Sequence, residues 1–225
     1  MFPAPDYLDL SQTAHPELFN SQDPVWNVLK MIEGYLAKNL TPAMQGQLIG
    51  NSYIGDHVRI GEGTIIEPGA VIKGPAWIGR NCQIRPGAYI RNNVIIGDNC
   101  VVGNSSEIKN AVLFNGCQIP HFNYVGDSIL GAKAHLGAGV ILSNFKLMGD
   151  EVVVRHDGER HSTGLRKFGA IIGDGVEIGC HAVLNPGSII GRKAIIYPGV
   201  VWRGVLLAHS TVKNRSDYQV IPSRD

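Results

Sequence analysis

Residues 54–84 read IGDHVRIGEGTIIEPGAVIKGPAWIGRNCQI, and a β-branched residue stands at every sixth position. The same spacing continues as far as residue 108. The ten positions are Ile54, Ile60, Ile66, Ile72, Ile78, Ile84, Ile90, Ile96, Val102 and Ile108. Five of the ten are followed directly by glycine, which lets the backbone turn tightly beside an aliphatic side chain. Self-similarity at a fixed period is typical of a solenoid.

A period of six matches neither the 3.6-residue helix nor the two-residue strand, so a long helix or a simple meander would not keep one face apolar. Three sides of six residues make a coil of 18. Stacking such coils at about 4.8 Å lets the backbones pair between coils while the aliphatic side chains fill the interior. After residue 108 the register resumes with two five-residue steps, ending at Leu113 and Leu130, and it returns from Ile172 onward. We therefore predict about seven coils.

The fourth position after each aliphatic residue is small and suits the narrow corner of such a prism. Cys82, Cys100 and Cys117 occupy this small inward position, and the fourth cysteine is Cys180. A free cysteine behaves as a small apolar residue, and the spacing shows no CxxC pairing. We expect reduced thiols without a redox or metal role.

Two segments depart from the repeat. Residues 1–48 contain a helical pattern at Val25, Leu29, Ile32 and Leu36, which predicts one amphipathic helix capping the open end of the solenoid. Residues 143–170 contain apolar runs around the turn pair Asp157-Gly158, which predicts a β-hairpin inserted in the coil. The expected organisation is an N-terminal extension over 1–48, a solenoid domain over 49–205 with the inserted loop, and a tail over 206–225.

The nearly neutral net charge of the chain gives no sign of a nucleic-acid-binding or membrane-binding surface. The 20 Lys+Arg residues nearly balance the 19 Asp+Glu residues, so we expect neither nucleic-acid binding nor membrane binding. The N-terminus MFPAPDYLDL lacks a basic region followed by an apolar stretch, and no run of 18 apolar residues occurs. We expect a cytoplasmic protein.

Polar residues gather where the repeat slips, although the solenoid core does not require them there. These candidates are Arg85, Lys109, His121, Asn123, Tyr124, His135, Asn144 and Lys167. Cations suit a small phosphorylated substrate, because arginine offers a planar fork to phosphate oxygens and lysine a point charge. Histidine is the side chain that most often accepts a proton at neutral pH. A histidine can equally be a structural residue, and Arg85 before a proline can be a solvated corner.

The hexads resemble the hexapeptide-repeat proteins, whose fold is a left-handed parallel β-helix. The resemblance is closer between residues 84 and 172, where IRPGAYI, VGNSSEIKN, PHFNYVGDSILG, LGAGVILSNF and TGLRKFGAIIGD occur in order. This set is similar to the acetyltransferase domain of bifunctional sugar-1-phosphate nucleotidylyltransferase/glucosamine-1-phosphate N-acetyltransferases. The resemblance implies an acetyl-CoA-dependent N-acetyltransferase of nucleotide-sugar biosynthesis, acting on an amino-sugar phosphate such as glucosamine-1-phosphate or galactosamine-1-phosphate.

By the same resemblance, His121 is the general base that deprotonates the sugar amine. Sugar and phosphate would be held by the following set: Arg85, Lys109, Tyr124, His135, Asn144 and Lys167. Coenzyme A would contact another set: Asn144, Ala138 and Cys180. The basic residues near the end of the chain could meet the phosphates of coenzyme A or be solvated corners: Arg192, Lys193 and Arg203. The family implies a homotrimer with sites between subunits and no metal for acetyl transfer.

Three departures from that family bear on the substrate. No glycine-rich nucleotidyltransferase loop precedes the solenoid, and 48 residues are too few for that domain, so we do not expect nucleotidyl transfer from this chain. His135 stands where glucosamine-type enzymes have asparagine, which leaves the acceptor sugar open. Cys180 replaces a serine that contacts coenzyme A in close relatives, and a thiol is a weaker donor.

Two other functions remain open from the sequence. Hexapeptide prisms also serve as non-catalytic scaffolds or assembly subunits. A zinc enzyme of the γ-carbonic-anhydrase type shares the fold and uses three histidines between subunits, which directs attention to His121, His156 and His161. Two of these fall in the predicted hairpin, and the surrounding motifs do not match that class.

Overall fold

A computed structural model describes residues 2–20, 22–215 and 221. The solenoid is a three-sided prism of parallel strands. Each coil contributes one short strand to each side, and neighbouring coils pair in parallel along the prism axis. We call the sides face 1, face 2 and face 3 in chain order. The turns between them are corner 1/2, corner 2/3 and corner 3/1.

The three faces contain nine, nine and eight strands. Face 1 consists of Ala43–Met44, Val58–Ile60, Ala76–Ile78, Val94–Ile96, the ends of Glu107–Leu113 and Tyr124–Leu130, Ala170–Ile172, Ser188–Ile190 and Val205–Leu206. Face 2 consists of Gln47–Leu48, Ile65–Ile66, Gln83–Ile84, Val101–Asn104, Gln118–His121, His135–Leu136, Glu177–Ile178, Ile195–Ile196 and Thr211–Val212. Face 3 consists of Tyr53–Ile54, Val71–Ile72, Tyr89–Ile90, the beginnings of Glu107–Leu113 and Tyr124–Leu130, Ile141–Leu142, Val183–Leu184 and Val201–Trp202.

The prediction of about seven coils is wrong, because nine strands stack on face 2. The first coil begins at Ala43, before the expected boundary at 49, and Thr211–Val212 pairs beyond the expected end at 205. Both terminal coils were missed because their positions depart from the β-branched pattern while their backbones still pair with the next coil. Residues 216–220 and 222–225 of the predicted tail lie outside the described residues.

The interior is the column of aliphatic side chains that the hexads predict. Ile60, Ile66, Ile72 and their successors are fully buried in one continuous cluster. Burying an isoleucine stabilises a fold by about 1.5–3 kcal/mol, so the stacked column is the main source of stability. The cysteines Cys82, Cys100 and Cys117 lie in this cluster at corner 1/2. The Cys82 thiol donates to the Gly97 carbonyl, and the adjacent Cys100 thiol and burial raise the pKa of Cys82, so it stays an inert thiol.

The five-residue steps have a clear structural cause. Strand pairing advances by 18 residues from Ala76 to Val94 but by 17 from Val94 to Ala111 and from Ala111 to Ser128. One residue is missing from corner 3/1 of each short coil. Asn110 and Asp127 turn the chain there with φ of 43° and 47°, a left-handed conformation that asparagine and aspartate tolerate better than most residues.

The N-terminal helix spans Val28–Asn39 and follows four 3₁₀ turns at Ala4–Asp6, Leu10–Gln12, Pro16–Leu18 and Val25–Asn27. Its predicted position at the open end is wrong. The extension lies along the outside of face 1, where Leu29, Ile32 and Leu36 pack against outward side chains such as Val112 and Ile129. The physical reason is that the face 1 strands of the middle coils are apolar on both sides, so their outer side requires cover.

His15 is part of this cover. Its ring packs edge-on against Trp77 with centroids 4.6 Å apart, and its Nδ1 lies 2.8 Å from the Tyr35 hydroxyl. Burial lowers the pKa of His15, which favours the neutral imidazole at this junction.

The insertion forms the predicted hairpin, with antiparallel strands Val152–His156 and Glu159–Leu165. Asp157 and Gly158 both have positive φ, as a two-residue hairpin turn requires. Val152 and Val154 are fully buried in the cluster that covers face 1, so the hairpin packs against the prism. No helix in the described part of the chain has the length and apolar character needed to cross a bilayer.

Candidate active site

His121 ends a face 2 strand and begins corner 2/3. The side chain is exposed, and its backbone N–H donates to the Asn123 Oδ1 at 3.0 Å. Asn123 is buried; its backbone N–H donates to the Ser106 Oγ at 3.2 Å, and its Nδ2 donates to the Gly137 carbonyl at 2.7 Å. Asn123 therefore links three successive coils, and this anchor holds the backbone from which His121 projects.

Gly103 makes room for this corner. A Cβ at position 103 would lie 1.6 Å from the carbonyl oxygen of Pro120, the residue before His121. No real side chain fits there, because Cβ contacts essentially never fall under 3.0 Å. The glycine is required by the close stacking of two corners and not by its own φ.

Asp127 is the centre of a polar cluster at corner 3/1. Its buried carboxylate accepts from the Lys109 Nζ at 3.1 Å, from the Asn110 Nδ2 at 2.9 Å and from the Asn144 Nδ2. The Lys109 and Asp127 side chains are only 13% and 6% exposed, so this is a mostly buried ion pair. The lysine predicted to bind phosphate thus has a carboxylate partner that sequence reasoning missed. The signal was the five-residue step itself, which places Asp127 at the corner.

Tyr124 and Asn144 converge on the same cluster over Gly126. A Cβ at position 126 would lie 2.6 Å from the Tyr124 hydroxyl and 2.7 Å from the Asn144 Nδ2. Burial raises the pKa of Tyr124, and the negative charges of Glu107 and Asp127 add to the effect. The phenol is consequently a proton donor at neutral pH.

The two ends of the insertion lie together and place Lys167 near Asn144. Phe145 and Lys167 form an isolated antiparallel bridge, and the Phe168 N–H donates to the Asn144 carbonyl at 2.9 Å. Asn144 and the exposed Lys167 are therefore held near each other, although 23 positions separate them in sequence. This pairing explains how a long insertion supplies two adjacent groups.

A second ion pair lies beside Lys109. Arg91 stands one position after Ile90, which pairs with Ile108, so Arg91 and Lys109 are neighbours on adjacent coils of face 3. The Arg91 guanidinium donates to the Glu107 carboxylate at 2.8 Å. Sequence reasoning missed both Arg91 and Glu107.

Arg85 lies at corner 2/3, on the same edge of the prism as His121. Its backbone N–H bonds the Val102 carbonyl, and its guanidinium donates to the Gln83 Oε1 at 3.1 Å. His121 and Arg85 thus border face 3 on one edge while Asp127 and Asn144 border it on the other. Tyr124 and Lys109 lie on the outer side of the strands between them, and both are partly buried.

His135 lies away from this group, on the outer side of face 2. Its Nδ1 is 2.7 Å from the Glu177 Oε2. The pair sits in a groove of about 370 Å³ that Cys180, Tyr197 and Pro198 also line. Within one chain, therefore, the structure does not bring His135 to the Lys109–Asp127 cluster.

The predicted coenzyme A residues divide among the corners. Ala138 and Cys180 stack above His121 at corner 2/3. Arg192 and Lys193 lie at corner 1/2, where the Arg192 Nε is 3.2 Å from the Asp174 carboxylate. Asn144 and Arg203 belong to corner 3/1. One chain does not assemble the six positions into one site.

The three histidines of the zinc alternative do not converge within the chain. The rings of His156 and His161 pack against Phe2, with centroid distances of 5.8 and 5.1 Å, at the hairpin beside face 1. His121 lies at corner 2/3. Among the described residues, no group of three or more His, Cys, Asp or Glu side chains is arranged to hold a metal ion.

Comparison with known sequences identifies relatives of this chain. The profile of the GMPPB C-terminal domain matches residues 72–158. The bifunctional sugar-1-phosphate nucleotidylyltransferase/acetyltransferase of Sulfurisphaera tokodaii is 43% identical over 91 residues, which are 40% of this chain and 23% of that protein. The bifunctional protein GlmU of Methanococcus vannielii is 38% identical over 171 residues, 76% of this chain and 41% of that protein.

The chain is thus similar to part of each of these bifunctional proteins. The alignments cover less than half of either relative's own length. Among solved structures, the UDP-N-acetylglucosamine acyltransferase of Francisella novicida superimposes with a TM-score of 0.51 at 16% identity, over 76% of this chain and 66% of that one. This likeness confirms the predicted fold of the chain, a left-handed parallel β-helix.

Proposed function

We propose that this chain is an acetyl-CoA-dependent N-acetyltransferase acting on an amino-sugar phosphate of the glucosamine-1-phosphate or galactosamine-1-phosphate type. The observation that carries the proposal is the polar group across face 3. The exposed His121 lies on one edge, and the Lys109–Asp127–Asn144 cluster with Tyr124 lies across the face from it. A non-catalytic prism has no need of a buried ion pair that supports an outward tyrosine and amide. The names of the relatives support the same reaction class.

In the proposed reaction, the imidazole of His121 accepts a proton from the neutral sugar amine as its nitrogen attacks the thioester carbonyl carbon. The C–N bond forms, the tetrahedral intermediate collapses, the C–S bond breaks, and the thiolate of coenzyme A leaves and is protonated. Arg85, Lys109 and Lys167 supply positive charge for the sugar phosphate. Tyr124 and Asn144 donate hydrogen bonds to the sugar or the acetyl oxygen.

We further propose that a homotrimer completes the site. His135 and the Cys180 groove lie on face 2, whereas Lys109 and Tyr124 lie on face 3. A neighbouring copy that packs its face 2 against face 3 brings the two groups together, so the acetyl donor would lie between subunits along the Ala138–Cys180 column.

The test is release of free thiol from acetyl-CoA in the presence of each amino sugar phosphate. The variant His121→Ala should lose about 10²-fold or more of the rate, the contribution of a positioned general base, while keeping its circular dichroism spectrum. His57→Ala is the matched control, because His57 is an exposed histidine at corner 3/1 near the start of the prism. Absence of stimulation by either amine or by an amino-sugar nucleotide would replace this proposal with the scaffold function.

A further inference from the structure

A small cavity lies between the hairpin and the last coils of the prism. Four cationic side chains line it: Lys146, Arg155, Arg160 and Arg203. Its volume of about 60 Å³ exceeds the roughly 10–15 Å³ that one water molecule requires. The rest of the lining is Val153, Pro186 and two glycines, and it includes no carboxylate.

The two glycines allow the hairpin to approach the coils this closely. Gly187 and Gly204 have φ of 81° and 91°, a region that strains other residues. A Cβ at Gly187 would lie 2.8 Å from the Val152 Cγ1, and one at Gly204 would lie 3.4 Å from the Arg155 carbonyl oxygen. The cavity is therefore formed by fixed backbone on two sides.

The positive charges of the cavity are poorly compensated. Arg155 and Arg160 face each other directly across the two hairpin strands, an arrangement that destabilises a sheet when the charges are alike. Neither of them, nor Arg203, forms a salt bridge with a described residue. Lys146 alone is paired, with Asp150.

Among the described residues, Asp150 is the carboxylate that forms an ion pair with a cation of this cavity. The hydrogen bond from Lys146 is the main cause that lowers the pKa of Asp150, and the charge of Arg160 adds to it. The other acids of the insertion have their own partners: Glu151 accepts from the Ser162 hydroxyl and the Gly164 N–H, Asp157 lies 3.3 Å from His156, and Glu159 lies 3.7 Å from His161. Among the described residues, one ion pair thus offsets one of the four cationic side chains. A bound anion would compensate the excess positive charge.

We propose that this cavity binds the phosphate group of a small ligand, as inorganic phosphate or a phosphomonoester. Guanidinium forks match phosphate oxygens, and the three arginines come from three separate strands or corners around one small volume. The site is separate from the acetyl-donor groove, because Arg203 lies at corner 3/1 whereas Ala138 and Cys180 lie at corner 2/3, across face 3.

Occupation of the cavity would also act on the active site. The ligand joins the hairpin to the coil that carries Arg203, and the same insertion carries Asn144 and Lys167 at its two ends. A ligand that binds only the docked hairpin stabilises that position by mass action. Phosphate is therefore expected to stabilise the arrangement of Asn144 and Lys167.

The test is isothermal titration of inorganic phosphate, with thermal unfolding in phosphate against chloride at constant ionic strength. The intact chain should bind phosphate and unfold at a higher temperature in its presence. Arg160→Gln should weaken binding about tenfold or more and abolish most of the temperature shift. Without phosphate, Arg160→Gln should be as stable as the unchanged chain or more stable, because the repulsion with Arg155 is relieved.

Arg203→Gln should weaken binding likewise, and Arg80→Gln is the control, since Arg80 is an exposed arginine at corner 1/2 outside the cavity. An equal phosphate response in all four proteins would overturn the proposal. A response that coenzyme A abolishes and 3′-dephospho-coenzyme A does not would assign the cavity to the acetyl donor and overturn the separate site. None of these readouts requires acetyl transfer, so the result does not depend on the proposed function.

Discussion

Asp127 determines which atoms the candidate site presents. Its carboxylate holds the Lys109 ammonium and the amides of Asn110 and Asn144 together. In the proposed site, Lys109 would consequently meet a phosphate as part of a neutral pair and not as an isolated charge, so the free positive charge for the substrate would rest more on Arg85 and Lys167. The turn at Asp127 and the turn at Asn110 are also joined, because the two residues hydrogen-bond across adjacent coils.

Removing the charge of Asp127 tests this arrangement. Asp127→Asn tolerates the same left-handed turn but leaves the Lys109 charge mostly buried without its partner, which should cost about 3 kcal/mol of unfolding free energy in urea titration. The double variant Asp127→Asn/Lys109→Met removes both charges and should recover most of that loss. If the single and double variants prove equally unstable, the ion pair is not the cause.

Glu107→Gln provides the matched control for this measurement. It breaks the Arg91–Glu107 pair, whose side chains are 37% and 33% exposed. Solvent screens a pair of this exposure, and its loss should cost under about 1 kcal/mol.

At the scale of the coil, the corners and not the strands set the geometry of the site. A coil of 17 residues in place of 18 removes one residue from corner 3/1, and the resulting turns bring the Asn110 amide to the Asp127 carboxylate. The next coil is longer at the same corner, because the hairpin is inserted there. The two ends of this insertion supply Asn144 and Lys167. The strands between these corners keep their paired register throughout.

Two glycine substitutions separate stacking constraints from backbone freedom. Gly103→Ala places a Cβ against the Pro120 carbonyl and should destabilise the fold by about 2 kcal/mol or more, with loss of activity because His121 follows in the displaced segment. Gly34→Ala, in the exposed middle of the helix with no atom within 4 Å of its new Cβ, should stabilise by about 0.5–1 kcal/mol. Chemical denaturation of both variants measures the two effects, and a tolerated Gly103→Ala would mean that the corners are not stacked as described.

On the scale of the whole molecule, the three faces have different environments. The N-terminal extension and the hairpin cover face 1. Their apolar side chains form one buried cluster with Phe114, Ile129, Phe168 and their neighbours. Faces 2 and 3 keep large apolar side chains in solvent, among them Tyr53 at 59%, Ile195 at 42% and Val201 at 67% exposure. Exposed apolar side chains of this kind mark surfaces that bind a partner when they are contiguous.

We therefore expect faces 2 and 3 to pack between copies of the chain in a trimer. Light scattering coupled to size exclusion should give three times the mass of one chain. Val201→Lys should shift the mass toward one chain, because a buried charge at an interface is costly, whereas Met31→Lys, on the exposed side of the N-terminal helix, should leave it unchanged. A single-chain mass for the unmodified protein at micromolar concentration would exclude the proposed intersubunit site.

The sequence by itself determined the solenoid, because the six-residue spacing of Ile54 and its successors has only one way to bury every aliphatic side chain. It also determined the hairpin at Asp157-Gly158 and the buried corner cysteines, which follow from local turn chemistry and side-chain size. The resemblance of the motifs indicates His121, Tyr124, Asn144 and Lys167 as candidates.

Only the tertiary structure decided the position of the N-terminal helix, the two additional coils and the partners of Lys109. These depend on contacts between residues far apart in sequence: Leu29 with the outer side of face 1, Ala43 with Arg59, and Lys109 with Asp127 and through it Asn144. A periodic pattern specifies which side chains point inward. It does not specify which outward side chains meet across coils, because that depends on how many residues each corner contains and on how the chain turns there.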